Sequence, residues 1–226
     1  MGKNKLRKFN EINTFPNVIQ PDYRSDIKDF EYKGKWGCCF FENDNPIVLE
    51  IGCGKGEYTI GLAKEYPGKN FIGIDIKGDR IWHGAKNSIE LGLKNTAFLR
   101  IQAEKIEQYF NENEVSEIWI PFPDPQPNKP RVKKRLTSPN FIERYKKILK
   151  PNSPIHLKTD NKTLFDYTLN VIKEHNHNIH KRSDNVHGDT ENNLDPVVEK
   201  IQTYYEQMFT EEGAIIYYLK FSLNNS

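Results

Sequence analysis

The sequence is poor in the features that mark secreted, membrane-embedded or disulfide-held proteins. It has three cysteines, Cys38, Cys39 and Cys53, an odd number with two adjacent, which suits neither a disulfide framework nor a zinc site. All three are expected to stay reduced. No apolar run approaches the ~20 residues that cross a bilayer, and the polar start MGKNKLRKFN lacks the apolar segment of a secretory signal. The expectation is a cytoplasmic protein with no membrane partner. Leu6 stands where a myristoylation signal wants Ser or Thr, so the opening Met-Gly is not read as a lipid site. His175, His177 and His180 lack a carboxylate or Cys partner at zinc-site spacing, so no metal is expected there. Net charge is scarce too: 33 basic residues against 31 acidic ones leave +2. A chain of 226 residues can build one sizeable core and is too short to assume two.

What the chain does have is the stretch IVLEIGCGKG at 47 to 56. Ile47, Val48, Leu49 and Ile51 have the composition of a strand buried on both faces, as in a parallel sheet covered by helices. Gly52, Gly54 and Gly56 then permit positive φ and a close backbone approach, and EYTIGLAKEY follows with helical spacing. A dinucleotide fingerprint wants its third glycine at position 57, where this chain has Glu57, a poor neighbour for a pyrophosphate. The pattern E-x-G-x-G-x-G resembles the first motif of Rossmann-like S-adenosylmethionine-dependent methyltransferases, whose cofactor is cationic and suits Glu50. The next strand, FIGIDIK, ends in Asp75. That acid follows Gly52 at roughly 20 residues, the right distance for a group that accepts hydrogen bonds from ribose hydroxyls. The stretch GDRIWHGAKNSIELGL is helical by spacing, with Ile81, Ala85, Ile89 and Trp82 as its inward residues. A third strand, TAFLRIQ, ends at Gln102, which offers a donor and an acceptor to an adenine edge; a plain strand-end Gln fits equally well.

Charge is unevenly distributed. From Asn128 to Lys150, nine Lys or Arg residues face one acid, Glu143, a net +8, and Lys3, Lys5, Arg7 and Lys8 precede the first acid of the chain. Two basic clusters on a nearly neutral protein suggest a phosphate-binding face; a solvated charge run is the plainer alternative for either. The first cluster begins in VSEIWIPFPDPQPNKPRVKKRL, an apolar strand that becomes a loop whose prolines 121, 123, 125, 127 and 130 forbid helix or ladder. Asp124 and then Lys129, Arg131, Lys133, Lys134 and Arg135 lie beyond the carboxyl end of that strand, where open α/β sheets bind ligands. An acid followed by cations fits a nucleic-acid base delivered with its phosphates.

This segment resembles the F-P-D-P-W-P-K-K-R-H-x-K-R-R-L signature of bacterial tRNA (guanine-7-)-methyltransferases. HLKTDN at 156 to 161 is similar to that family's strand-end T-D-N, and TYYE at 203 to 206 to its T-x-Y-E helix. The resemblance covers nearly the whole chain from about residue 40 and implies a doubly wound α/β fold. Its sheet would be mostly parallel and seven-stranded, Rossmann-like, with the last strand, AIIYYLKFSL, inserted antiparallel. It also implies methyl transfer from S-adenosylmethionine to the 7-nitrogen of a guanosine in the variable loop of tRNA. On that reading Glu50, Gly52, Gly54, Gly56, Asp75, Gln102 and Asp124 bind the cofactor, and Asp124 is also the catalytic residue. Asp160, Thr203 and Glu206 would meet the substrate together with Asn128 and Lys129. The chain departs from the signature in Gln126 for Trp, Asn128 for the first Lys, Pro130 and Arg131 within the basic run, and Gln102 for the usual Asp. Lys129 is then the candidate for the charge that Asn128 lacks.

Residues 1–45 show no sustained period and are read as a loosely structured basic arm before a methyltransferase domain at 46–226. Within the arm, WGCCFF is a short strand or an anchor on the core. TSPNFIERYKKILK is a helix opened by Thr or Ser, and Asp160 is a possible cap for NKTLFDYTLNVIKEH. The polar stretch NIHKRSDNVHGDTENNLDP is expected to be a loop, and VVEKIQTYYEQMF a single helix with Thr203 and Glu206 on one face. Nothing in the sequence distinguishes a monomer from a homodimer. Three other readings are open: a protein or small-molecule methyltransferase, which needs no basic loop; a nicotinamide oxidoreductase, which needs the missing glycine; and a noncatalytic nucleic-acid-binding module, which leaves the glycine turn unexplained.

Overall fold

The structure is a computed structural model and describes residues 3–22, 27–188 and 194–224. Strand β2 (Ile47–Ile51) is buried along its whole length, as its apolar run requires. Strand alternation sends Ile47, Leu49 and Ile51 to one core layer and Val48 to the other, so Glu50 shares the face of Val48. Before β2 come α1 (Lys3–Glu11) and β1 (Val18–Ile19). After it come α2 (Glu57–Glu65), β3 (Asn70–Asp75), α3 (Gly78–Glu90), β4 (Thr96–Arg100) and β5 (Val115–Pro121). The chain closes with α4 (Pro139–Lys146), β6 (Pro154–Thr159), α5 (Lys162–Glu174), β7 (Asn178–Ser183), α6 (Pro196–Lys200), α7 (Tyr204–Glu211) and β8 (Tyr217–Ser222).

The strand order is β1-β4-β3-β2-β5-β6-β8-β7, parallel except for β8, which runs antiparallel to both β6 and β7. The order reverses at β2: β3 lies on one side and β5 on the other, and this is where doubly wound sheets bind ligands. The α/β architecture and its one antiparallel strand are as the sequence led us to expect. An eighth strand is added: β1 pairs with β4 through Val18↔Phe98 and Ile19↔Leu99, too short a segment to show alternation.

Residues 1–45 carry more structure than their composition suggests. Helix α1 packs on α3, where Trp82 Nε1 donates to Glu11 (2.8 Å), and Asn17 donates to the Ala85 carbonyl. WGCCFF is a single π turn, Trp36–Phe41, rather than a strand. Its Trp36 is fully buried, donates to the Tyr109 carbonyl and stacks on Phe110, so the expected anchoring holds. On α3, Ile81, Trp82 and Ala85 face inward as expected, but Ile89 is 42% exposed and Ser88 takes the buried position.

Two C-terminal expectations change. The first part of the polar stretch, Asn178–Ser183, is the edge strand β7, nearly all of it exposed, so no apolar alternation betrays it. The single helix expected at 197–209 breaks into α6 and α7. Thr203 caps α7 by accepting from Glu206 N (3.0 Å), and Lys158 Nζ takes the Val198 and Ile201 carbonyls at the end of α6. The signal was present, since T-x-x-E is the start of a capping box. No helix among the described residues is long and apolar enough to cross a membrane.

Candidate active site

The turn after β2 holds Gly52, Gly54 and Gly56 at φ of 79°, 54° and 74°, all in the left-handed region. Gly56 is forced by packing as well, because a Cβ there would lie 2.6 Å from the Phe98 ring. Gly54, by contrast, has nothing within 4 Å of a Cβ position, which leaves its backbone open to a ligand. The turn is braced by two carboxylates. Asp75, at the end of β3, accepts from Gly54 N (3.0 Å) and Lys77 N (2.8 Å). Glu50 accepts from both the amide and the hydroxyl of Thr59 in the first turn of α2. Burial pushes the Glu50 carboxyl up to about 8, against the opposing pull of its Thr59 hydrogen bonds. Thr59 is a functional partner that the sequence did not announce.

Two cavities meet at Gly52. The larger, about 550 Å³, is lined by Asp75, Ile76, Ile101 and Gln102, and is roofed by Lys134 and Leu136 from beyond the proline-rich loop. Its combination of an acid, an amide and flanking aliphatic side chains fits a ribose with an adenine. The smaller, about 80 Å³, is lined by Glu50, Gly54, Arg80, Phe122, Thr203 and Tyr205. Glu50 there is a buried carboxyl group that a cation bound beside it would hold in the ionised form, so the pair of cavities suits S-adenosylmethionine in charge.

The proline-rich loop stands over this space. Phe122 and Gln126 both have positive φ, 47° and 45°, on either side of Asp124. Such conformations cost ~1–3 kcal/mol each and persist only where the surroundings impose them. Phe122 N donates to the Lys158 carbonyl (2.7 Å), Gln126 N to Asp124 Oδ1 (3.0 Å), and Arg135 Nε to the Pro125 carbonyl (2.9 Å). Arg135, grouped with the phosphate-facing cations by its sequence position, is in fact buried and stacked over Tyr167, pinning the loop from below. Arg135→Lys should therefore lower methyl transfer about as much as Arg135→Ala while leaving the charge count unchanged, as measured by initial rates. The lysine would lack the fork that reaches Pro125 and Gln126.

Asp124 is exposed on this loop, with Asn128 and Lys129 exposed just beyond it. Pro121 pairs with Lys158 across β5 and β6, so Asp124 and Asp160 leave adjacent parallel strands at one edge of the sheet. The helix cap considered for Asp160 belongs to Asn161, whose side chain accepts from Leu164 N. Thr203 lines the smaller cavity, but Glu206 lies behind it, fully buried. Glu206 Oε1 pairs with Lys158 Nζ (2.5 Å) and His187 Nε2 (2.8 Å), and its Oε2 has no hydrogen-bond partner among the described residues. Burial lowers the Lys158 ammonium, and Glu206 works in the other direction. Lys158, too, was not singled out by sequence. Removing it in Lys158→Ala strands a buried carboxylate and two carbonyls, and should cost ~3–5 kcal/mol in denaturant unfolding. A Lys158→Met, Glu206→Leu double variant should recover the part of that loss due to the unpaired carboxylate and not the part due to the Val198 and Ile201 carbonyls.

A family model described as a putative methyltransferase matches residues 44–219. The chain is 51% identical over 225 residues to the tRNA (guanine-N(7)-)-methyltransferase of Christiangramia forsetii, covering 98% of this chain and 99% of the relative. The chain belongs to the tRNA (guanine-N(7)-)-methyltransferase family. Relatives of the same name in Bacteroides fragilis (49% identity, 99% of this chain and 87% of the relative) and Lactococcus lactis subsp. cremoris (35%, 84% and 85%) extend the match. Among solved structures, the 16S rRNA methyltransferase KamB shares the fold with a TM-score of 0.59 at 14% identity, over 80% of this chain and 88% of that one. In this member of the family, the cofactor turn, the proline-rich loop and the α6–α7 break come together around Gly52, although the three segments lie far apart in sequence.

Proposed function

We propose that this protein methylates the 7-nitrogen of a guanosine in tRNA, in the variable loop as its family resemblance implies, with S-adenosylmethionine as donor. The observation that carries the reading is the junction of an adenosine-sized cavity with a smaller, acid-lined one under the Asp124 loop, in a chain of this family. When bound, the cofactor supplies a sulfonium methyl whose transfer to N7 forms one N–C bond, breaks one S–C bond and moves the positive charge onto the guanine ring. N7 has a free lone pair, so no residue must first remove a proton, and the chain's contribution is positioning and electrostatics.

Asp75 and Gln102 hold the nucleoside part of the cofactor, Gly52, Gly54 and Gly56 admit its backbone-proximal portion, and Glu50 faces its cationic end. Asp124 accepts hydrogen bonds from the guanine imino and amino groups, which distinguishes guanine from adenine, and its charge stabilises the ring as it becomes cationic. Asp160 supports it from the next strand. Thr203 orients the substrate at the cavity wall; Glu206, fully buried, anchors α7 behind it and does not reach the substrate directly. Lys129, with Asn128, meets the RNA beyond the loop. Incubation with labelled S-adenosylmethionine and unmodified tRNA, followed by nucleoside digestion, should place the label in 7-methylguanosine. Cofactor binding without transfer to any tRNA would overturn the reading and point to a protein or small-molecule acceptor.

A further inference from the structure

Helices α1 and α3 gather cations around one indole. Lys8 Nζ lies 5.0 Å and Lys86 Nζ 5.1 Å from the Trp82 ring centre, and the Arg7 guanidinium sits 6.0 Å from the same centre. Three cations thus share one ring. Part of this charge is answered. Glu11 approaches Arg7 (3.6 Å), and Glu90 approaches Lys86 (3.7 Å). Among the described residues, Lys8, Lys55 and Arg80 have no carboxylate in ion-pair contact. Lys8 instead sits 2.7 Å from His83 Nε2, a contact that requires a neutral imidazole protonated on Nδ1. Burial together with Lys8 and Lys55 lowers the His83 pKa, in keeping with that state.

The arrangement also has a direction. Arg80, His83 and Lys86 follow one another at i, i+3 and i+6 and so form a stripe on α3. Arg80 and Lys55 line the smaller cavity, so the stripe runs from the proposed methylation site out to Trp82. Lys55 lies over the ring of Tyr204, 5.1 Å from its centre, and Tyr204 is 58% exposed. Anions spaced along a polymer would complete this row, while a single small anion would answer only one of its members.

We propose that the α1–α3 face around Trp82 docks the phosphate backbone of the tRNA, and that Lys55 and Arg80 continue the track into the site. This rests on the tRNA reading above. The surface is distinct from the basic run of residues 129–134: Lys55 and Arg80 line the smaller cavity, whereas Lys134 lines the larger one.

The test is tRNA binding to the full chain across a salt series. Lys8→Glu with Lys86→Glu should weaken binding about tenfold or more and reduce the slope of log affinity against log salt by about 1–2, the loss expected for one or two phosphate contacts. Affinity for S-adenosylmethionine should stay as in the parent and serves as the readout of an intact domain. Should the Glu pair fail to fold, Lys8→Gln with Lys86→Gln carries the same test with a smaller loss of affinity. Parent-like tRNA affinity and salt slope in the Gln pair would overturn the proposal and leave the cations as a clamp between two helices. A parent protein that neither binds nor methylates tRNA would instead remove the functional reading itself.

Discussion

Asp124→Ala should reduce methyl transfer to tRNA by about 10²–10³-fold, the scale seen when one preorganised electrostatic group is removed from a reacting centre. The side chain is exposed and accepts a local hydrogen bond from Gln126 N, so its loss should leave the fold intact. S-adenosylmethionine affinity should move by no more than a few-fold, because Asp124 does not line either cavity. Asp124→Asn sharpens the comparison. The amide keeps one acceptor oxygen, removes the negative charge and places an NH2 donor where the second acceptor stood. If the charge or acceptance from both guanine N–H groups dominates, Asn behaves like Ala; if one accepted hydrogen bond suffices, Asn retains most of the rate. Single-turnover rates at saturating tRNA decide between them, and full activity in both variants would remove Asp124 from the reaction.

Glu50→Gln should weaken S-adenosylmethionine binding by roughly 30-fold or more, corresponding to ~2 kcal/mol for losing one partner of a buried charge pair. The same variant should behave in the opposite way without cofactor. The Glu50 carboxyl is pushed up to about 8 in the folded protein, above its ordinary value of 4.5. A raised carboxyl is at its most favourable when protonated. Its stabilising contribution is complete below pH ~4.5 and disappears as the pH rises to about 8. Glu50→Gln, which retains an acceptor for Thr59, should match the parent in denaturant unfolding near pH 4 and become the more stable protein by several kcal/mol, on the order of 3–5, above pH 8. Cofactor binding reverses the preference, since a cation beside Glu50 favours the carboxylate. Binding below pH 8 should release a proton, and affinity should climb with pH toward about 8 more steeply in the parent than in the variant. The cofactor's own α-amino group titrates near 8 as well, and contributes equally to both proteins. Identical pH profiles would show that Glu50 does not sense the cofactor.

Much of this site could be read from the chain because its chemistry is local in sequence. The glycine turn, its preceding strand and the acid at the end of the next strand are set by a run of apolar residues, by positive φ and by the length of one helix and its connections. The structure puts Gly52 and Asp75 in one cavity wall. The proline-rich loop was legible only in its middle, where prolines 123, 125 and 127 lie in irregular backbone. Pro121, expected to be outside any ladder, ends β5 opposite Lys158, and Pro130 sits at the start of a short 3-10 helix, Lys129–Lys134, where a missing amide donor costs nothing. Less visible were elements whose cause lies elsewhere in the molecule. An edge strand such as β7 is held by pairing with β8 and has no buried face to pattern its residues. The break between α6 and α7 depends on Lys158, far earlier in the chain, delivering its ammonium group to two carbonyls.

The same division separates what sequence alone determined about this protein from what the tertiary structure decided. Sequence determined the α/β class, the order of the cofactor and loop motifs, and which acids and cations were candidates, because each follows from backbone preference or from charge along a continuous stretch. The tertiary structure decided which candidates share a space. It gave Glu50 a raised pKa by burying it, against the pull of the Thr59 hydrogen bonds, turned Arg135 inward as a pin, committed Glu206 to Lys158 and His187, and assembled the cations of α1 and α3 around Trp82. Burial and pairing depend on groups brought together from distant parts of the chain, and a residue's own neighbours in sequence carry no record of them.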